Sequence, residues 1–136
     1  MAHRLADELI RRLAEAGVER IYGVVGDSLN PVTDALRLNN KVKWIHVRNE
    51  EAGAFAAGAE AQLTGKLAAC GGSCGPGNLH LINGLFDAHR SNAPVLAIAS
   101  YSQQRDRHWI FSGNASTESV SGMQLLLRAD LESGSV

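Results

Sequence analysis

Three short stretches of this 136-residue chain hold residue types that can do chemistry. Glu50 and Glu51 set two adjacent carboxylates at the head of an Ala-rich segment, where either could exchange a proton with a ligand. The run Gly71-Gly-Ser-Cys-Gly-Pro-Gly77 is a turn whose bare backbone N–H groups could face an anion if it opens a helix. Gly26-Asp27-Ser28 is a third turn with one carboxylate. Each also has a plain structural reading. Carboxylates are stabilised at any helix N-terminus, Gly-Pro-Gly supplies backbone angles that other residues avoid, and Asp27 can bond its own backbone. The phosphate fingerprints fail: no G-x-G-x-x-G register occurs, and no Lys-Ser or Lys-Thr follows the turn.

The remaining candidates are weaker. His46 falls in an alternating stretch, and His80 and His89 share one helix without metal-ligand spacing. Cys70 and Cys74 read as reduced, packed thiols; a redox pair or half a metal site is the alternative, but the spacing is not C-x-x-C and no second pair exists. Thirteen Lys and Arg against fourteen Asp and Glu give a net charge of −1 without a basic cluster, which speaks against nucleic acid. No apolar run reaches the roughly 20 residues that span a bilayer, and the N-terminus is charged from Arg4 onward, so a cytoplasmic location is expected.

The elements that must position these residues follow from periodicity. Leu5, Leu9 and Leu13 recur every fourth residue, predicting an amphipathic helix over 3–16 that stops at Gly17. Strands are predicted over 20–25, 42–47, 67–71 and 94–99, from β-branched and apolar runs that end at Gly or polar turns. Helices are predicted from Asn30, as N-cap before Pro31, to Asn39-Asn40, then over 50–63 and 78–89. Gly53 and Gly58 weaken the third helix, which points to close approach by a neighbour or ligand. The alternation αβαβαβαβ implies an α/β three-layer sandwich: a mainly parallel sheet covered by helices on both faces, with right-handed crossovers. Ligands on such sheets sit beyond the carboxyl ends of the strands, where the three stretches fall.

Taken together, Tyr22-Gly-Val-Val-Gly-Asp-Ser-Leu-Asn30, Arg48-Asn-Glu-Glu-Ala-Gly-Ala-Phe-Ala-Ala-Gly-Ala-Glu-Ala61 and Gly72-Ser-Cys-Gly-Pro-Gly-Asn78 resemble the N-terminal, pyrimidine-binding domain of thiamine-diphosphate-dependent enzymes. The pyruvate dehydrogenase (quinone)/pyruvate oxidase branch is the most similar, with acetolactate synthases and pyruvate decarboxylases looser. The resemblance implies that Glu50 is the catalytic glutamate that hydrogen-bonds N1′ of the aminopyrimidine. Sharing that proton favours the 4′-imino tautomer, whose nitrogen can take the thiazolium C2 proton. It also implies cofactor contacts at Gly26, Gly75, Pro76 and Gly77, and places Asp27 on the substrate side. Asn49 departs from the His that precedes the glutamate in the quinone-linked members. The family completes its site with a diphosphate-binding domain of a neighbouring subunit, which holds Mg2+; a middle domain holds FAD in the pyruvate oxidase branch. Neither domain's pattern occurs in this chain, so the resemblance implies a half-site inactive alone, from a homo-oligomeric parent. A non-catalytic interaction or regulatory module reusing the fold is the alternative.

The resemblance covers residues 4–99. From Ser100 the apolar periodicity fades and nothing matches, so residues 1–99 are expected to be the truncated domain and 100–136 a poorly ordered tail. A one-base frame shift can re-read that tail as a family-like continuation. Two of its steps are nearly forced, since Trp109-Ile110 must yield Gly and Met123-Gln124 must yield Cys.

Overall fold

The computed structural model describes residues 4–100. Of the expected tail only Ser100 is among them; the expectations for 101–136 lie outside the described residues. In chain order the elements are α1 (Leu5–Glu15), β1 (Arg20–Gly23), a 3-10 turn (Asp27–Leu29), α2 (Asn30–Asn39), β2 (Lys43–His46), α3 (Glu50–Thr64), β3 (Ala68–Gly72), α4 (Pro76–His80), α5 (Ile82–Arg90) and β4 (Val95–Ala99). All four strands are parallel, in the order β2-β1-β3-β4. This is the α/β architecture that the alternating pattern predicts. No helix among the described residues is long and apolar enough to cross a membrane.

Cross-strand register sorts the side chains onto two faces. Ile21 pairs with Trp44 on β2 and with Ala69 on β3, and Ala69 pairs with Leu96 on β4. These four join Ile10 and Leu13 of α1 and Ala35 and Leu36 of α2 in one apolar cluster. Because side chains alternate along a strand, Tyr22, Cys70 and Ala97 face the other way, toward the side where α3 and α5 pack on the sheet. Trp44 accounts for two glycines at the strand ends. A Cβ on Gly71 would lie 3.0 Å from the indole, and one on Gly23 would meet both the indole and the Gly71 carbonyl.

The structure departs from the sequence expectation at three places. The 3-10 turn occupies 27–29, so Leu29 takes the N-cap position of α2 and Asn30, already helical, makes no capping bond; Pro31 still stands in the first turn. The third crossover helix is two helices, starting at Pro76 rather than Asn78 and broken at Leu81, whose N–H turns to the Asn78 carbonyl three residues back. The two α3 glycines also differ. A Cβ on Gly53 would come within 3.2 Å of the Tyr22 carbonyl, whereas one on Gly58 would make an ordinary 3.5 Å contact with Ala88. Close approach therefore explains Gly53 and not Gly58.

Small residues of α3 instead bring α5 close. Ala54, Ala57 and Ala61 are buried, and a Cβ on Gly84 of α5 would collide with Ala54 and the backbone of Phe55 at about 2.5 Å. Two substitutions should therefore move stability in opposite directions. Gly58→Ala gains helix propensity while its methyl makes only an ordinary contact with Ala88, and should stabilise by up to about 1 kcal/mol. Gly84→Ala must push the helices apart and should destabilise by about 1–3 kcal/mol, read as a lower thermal midpoint. Shifts of the same sign would refute this packing account.

Both cysteines are free thiols. Cys70 is fully buried on β3, and desolvation pushes its thiol up to about 12; Cys74 is half-buried. Burial disfavours the thiolate, so at pH 8 a thiol reagent should label Cys74 in the native chain and reach Cys70 only on unfolding. Equal labelling rates would contradict this.

Candidate active site

The site is built around the first turn of α3. The Val47 N–H bonds the Gly23 carbonyl at 3.1 Å, holding the end of β2 against β1. Asn49 is extended, and its side chain accepts a hydrogen bond from the Glu51 N–H at 2.8 Å. It is the N-cap, a role that explains Asn at this position and is worth about 1 kcal/mol. Glu50 is thereby fixed as the first helical residue, where the helix dipole favours its negative charge. It is 9% exposed, the one buried charged residue among those described.

The two oxygens of that carboxylate have different surroundings. Oε2 lies 3.0 Å from Nδ1 of His80, the last residue of α4. Oε1 lies 3.0 Å from where a Cβ on Gly77 would stand, so the carboxylate rests against a bare α-carbon. Among the described residues, His80 is the only ion-pair partner of Glu50. The adjacent Glu51 receives the Asn83 side-chain amide at 3.3 Å. Glu51 also lines a shallow recess with Asn49, Ala52 and Phe55.

The Gly-rich turn shapes the other wall. Gly75 has φ +77°, in the left-handed region where only glycine is unstrained, and Pro76 then starts α4. The turn folds back on β3 so tightly that a Cβ on Gly72 would lie 2.8 Å from the Gly77 carbonyl. Glycine at 72, 75 and 77 thus serves three separate needs: close backbone approach, a left-handed angle, and room for Glu50.

A hydroxyl knot joins the turns that follow β1 and β3. Ser28 Oγ lies 2.9 Å from Ser73 Oγ and 2.7 Å from Ser100 Oγ, and accepts the Cys74 N–H at 3.1 Å. The Ser100 hydroxyl donates to the Gly72 carbonyl. Its proton is then spent, so Ser28 donates to Ser100 and Ser73 donates to Ser28, which satisfies every hydroxyl. Asn78 adds a bond from its amide to the Ser100 carbonyl at 2.8 Å. A Cβ on Gly26 would fall 2.5 Å from Ser73 Oγ, so glycine there lets the two turns touch.

Of the residues singled out in the sequence, Glu50 and Gly77 are thus in contact, and Gly26 meets the Gly-rich turn through Ser73. Gly75 and Pro76 are exposed at the head of α4. Asp27 is exposed, and no hydrogen bond or ion pair ties it to the others among the described residues. Sequence reasoning missed His80 as the partner of Glu50, and it missed Ser28, Ser73 and Asn78 as the ties between turns. The 30-residue separation of Glu50 and His80 carries no motif; only the adjacency of the α3 and α4 ends in the fold reveals the pair.

Comparison with known proteins supplies the family. The family described as "Thiamine pyrophosphate enzyme, N-terminal TPP binding domain" matches residues 3–125. An uncharacterized 42.6 kDa protein of Pseudomonas amyloderamosa is 68% identical over 98 residues, which is 72% of this chain. The putative thiamine pyrophosphate-containing protein YdaP of Bacillus subtilis is 50% identical over 101 residues, 73% of the chain. Pyruvate oxidase of Lactiplantibacillus plantarum is 48% identical over 96 residues, 69% of the chain. The aligned part is 25%, 18% and 16% of those three relatives, so the chain spans a quarter or less of their length. With that match over most of its residues, the chain belongs to the thiamine pyrophosphate enzymes, as their N-terminal TPP binding domain.

Proposed function

We infer that this chain forms the pyrimidine half of a thiamine diphosphate site in an enzyme that decarboxylates and oxidises pyruvate, with Glu50 as the carboxylate that bonds N1′. The supporting observation is the buried carboxylate with one oxygen on His80 and the other against the bare α-carbon of Gly77. Oε1 receives no donor from the described residues, yet it is not one of their fully buried, unpartnered atoms, so it stays open to a ligand in an otherwise buried residue. A pyrimidine ring nitrogen, itself an acceptor, fits opposite Oε1 when a single proton lies between the two. The identity to pyruvate oxidase and YdaP favours the oxidising branch.

When bound, thiamine diphosphate supplies the electron sink for loss of carbon dioxide. This chain's part is to share a proton between Glu50 Oε1 and the bound ring, orient that oxygen through the Asn49 cap, and keep Gly77 bare so that the carboxylate stays in place. Asp27, exposed beside the turn after β1, is the substrate-side candidate. The Gly75-Pro76-Gly77 turn is the wall against which the ring would lie. Mg2+ and the diphosphate fall to a second domain from a neighbouring subunit. The half-exposed Phe55 of α3 and Phe86 of α5 support contact with such a partner.

Calorimetric titration of the 136-residue chain with thiamine diphosphate and Mg2+ tests the reading. Binding should become measurable once a separately produced diphosphate-binding domain is supplied. Gly77→Ala and Glu50→Ala should each weaken it about 10- to 100-fold, the loss expected for one hydrogen bond to a charged group. In an assembled enzyme, Glu50→Gln should slow turnover about 10²- to 10⁴-fold. No binding by the wild-type pair, or full affinity in Glu50→Ala, would refute the assignment.

A further inference from the structure

We propose that His80 is a positioning residue, which pins one oxygen of Glu50 so that the other is the only one presented to a ligand. A glutamate at the first position of a helix has no intrinsic reason to prefer one carboxylate orientation, because its terminal torsion is broad and two-fold. Here the symmetry is broken. An ionised carboxylate accepts at both oxygens, and one that carries its proton on Oε1 still accepts at Oε2, so in either state the imidazole donates from Nδ1 to Oε2. Oε1 receives no such donor from the described residues and lies beside Gly77, where nothing but hydrogen covers the α-carbon. Half of the His80 side chain remains in water, so its ring costs little to desolvate, whereas the Glu50 side chain is 12% exposed. The neighbouring residues repeat the arrangement, with Asn83 donating to Glu51 one helical turn further along. α4 and α5 thus steer both carboxylates that open α3.

The inference rests on the pyrimidine-site reading only for the identity of the ligand that Oε1 receives. Its first consequence concerns the free chain. Donation from Nδ1 selects the Nδ1–H form of neutral His80, or the doubly protonated ring, over the Nε2–H form that a free imidazole favours. Nitrogen-15 spectra of the imidazoles in the intact 136-residue chain at neutral pH should therefore show a protonated Nδ1 at His80. Glu50→Ala should return that ring to the Nε2–H pattern and leave His46 and His89 unchanged.

The second consequence concerns the carboxylate. With carbon-13 at the glutamate carboxyl, His80→Ala should shift the Glu50 resonance. His80→Asn, whose amide nitrogen can stand where Nδ1 stood, should restore it. Both variants replace a half-exposed residue at a helix end, so their thermal midpoints should match the wild type, which separates positioning from a role in folding. An Nε2–H ring at His80 in the wild type, or a Glu50 resonance indifferent to His80→Ala, would overturn the proposal.

These spectra need no ligand, so they succeed or fail apart from cofactor binding. In the titration with thiamine diphosphate, Mg2+ and the diphosphate-binding domain, His80→Ala should weaken binding about tenfold and His80→Asn should recover most of it. Unchanged affinity in His80→Ala alongside a ten-fold or larger loss in Glu50→Ala would overturn the positioning role and leave the function of Glu50 standing.

Discussion

The burial of one carboxylate governs the layout of this domain's carboxyl edge. Removing a charged group from water costs several kcal/mol unless partners replace the solvent. Here the carboxylate avoids most of that cost by keeping Oε1 open, and three features hold it in place: the N-terminus of α3, the half-exposed imidazole at the end of α4, and a turn whose lack of a side chain at Gly77 leaves it room. Each imposes a sequence requirement on its own element. Asn49 must cap, the turn must reverse through a left-handed Gly75, and α4 must be short enough to end at His80. A single buried charge thus fixes residue choice over thirty positions.

The sheet's opposite face makes the same edge possible. Trp44 lies over Gly23 and Gly71, filling space that two side chains would otherwise take. Bare glycines at the ends of the adjacent strands β1 and β3 let the following turns converge, and Ser28, Ser73 and Ser100 then close the gap between them. In doubly wound sheets the ligand crevice opens where strand order reverses, here between β1 and β3. The hydroxyl knot occupies that junction. Glu50 stands at the head of α3 beside it, across the Gly-rich turn.

Much of this was legible because it is local. Strand and helix alternate with clear periodicity, Glu50 opens its helix, and the Gly-Pro-Gly turn follows its strand within a residue or two of expectation. What was not legible depends on which strands are neighbours. β1 lies between β2 and β3, an order that local patterning does not encode, so Ser28 and Ser73 met without any sequence sign. The same holds for His80, which on its own helix is an ordinary histidine. The missed cap at Asn30 has a local cause: a 3-10 turn that begins at Asp27 already carries the chain into α2, and no capping side chain is needed. Gly58 misled for the opposite reason, since a glycine in a crowded helix suggests contact whether or not the space is used.

The distribution of glycines shows how tolerance and constraint divide along the chain. Gly17 and Gly65 have positive φ with open space around them, so they end helices and nothing more. Gly23, Gly71 and Gly84 are held by packing, and a side chain there would disturb the core. Gly72 and Gly77 are held by the site itself, because what they make room for is the folded-back turn and the Glu50 carboxylate. Changes at the first group act on backbone strain, and those at the second on the close packing of sheet and helices. At Gly77 the added methyl presses on Glu50 Oε1 at 3.0 Å, while it meets the Ser73 side chain at an ordinary 3.6 Å. The effect of a methyl group there falls on the orientation of one carboxylate, which is why that residue reports on the site more directly than on the fold.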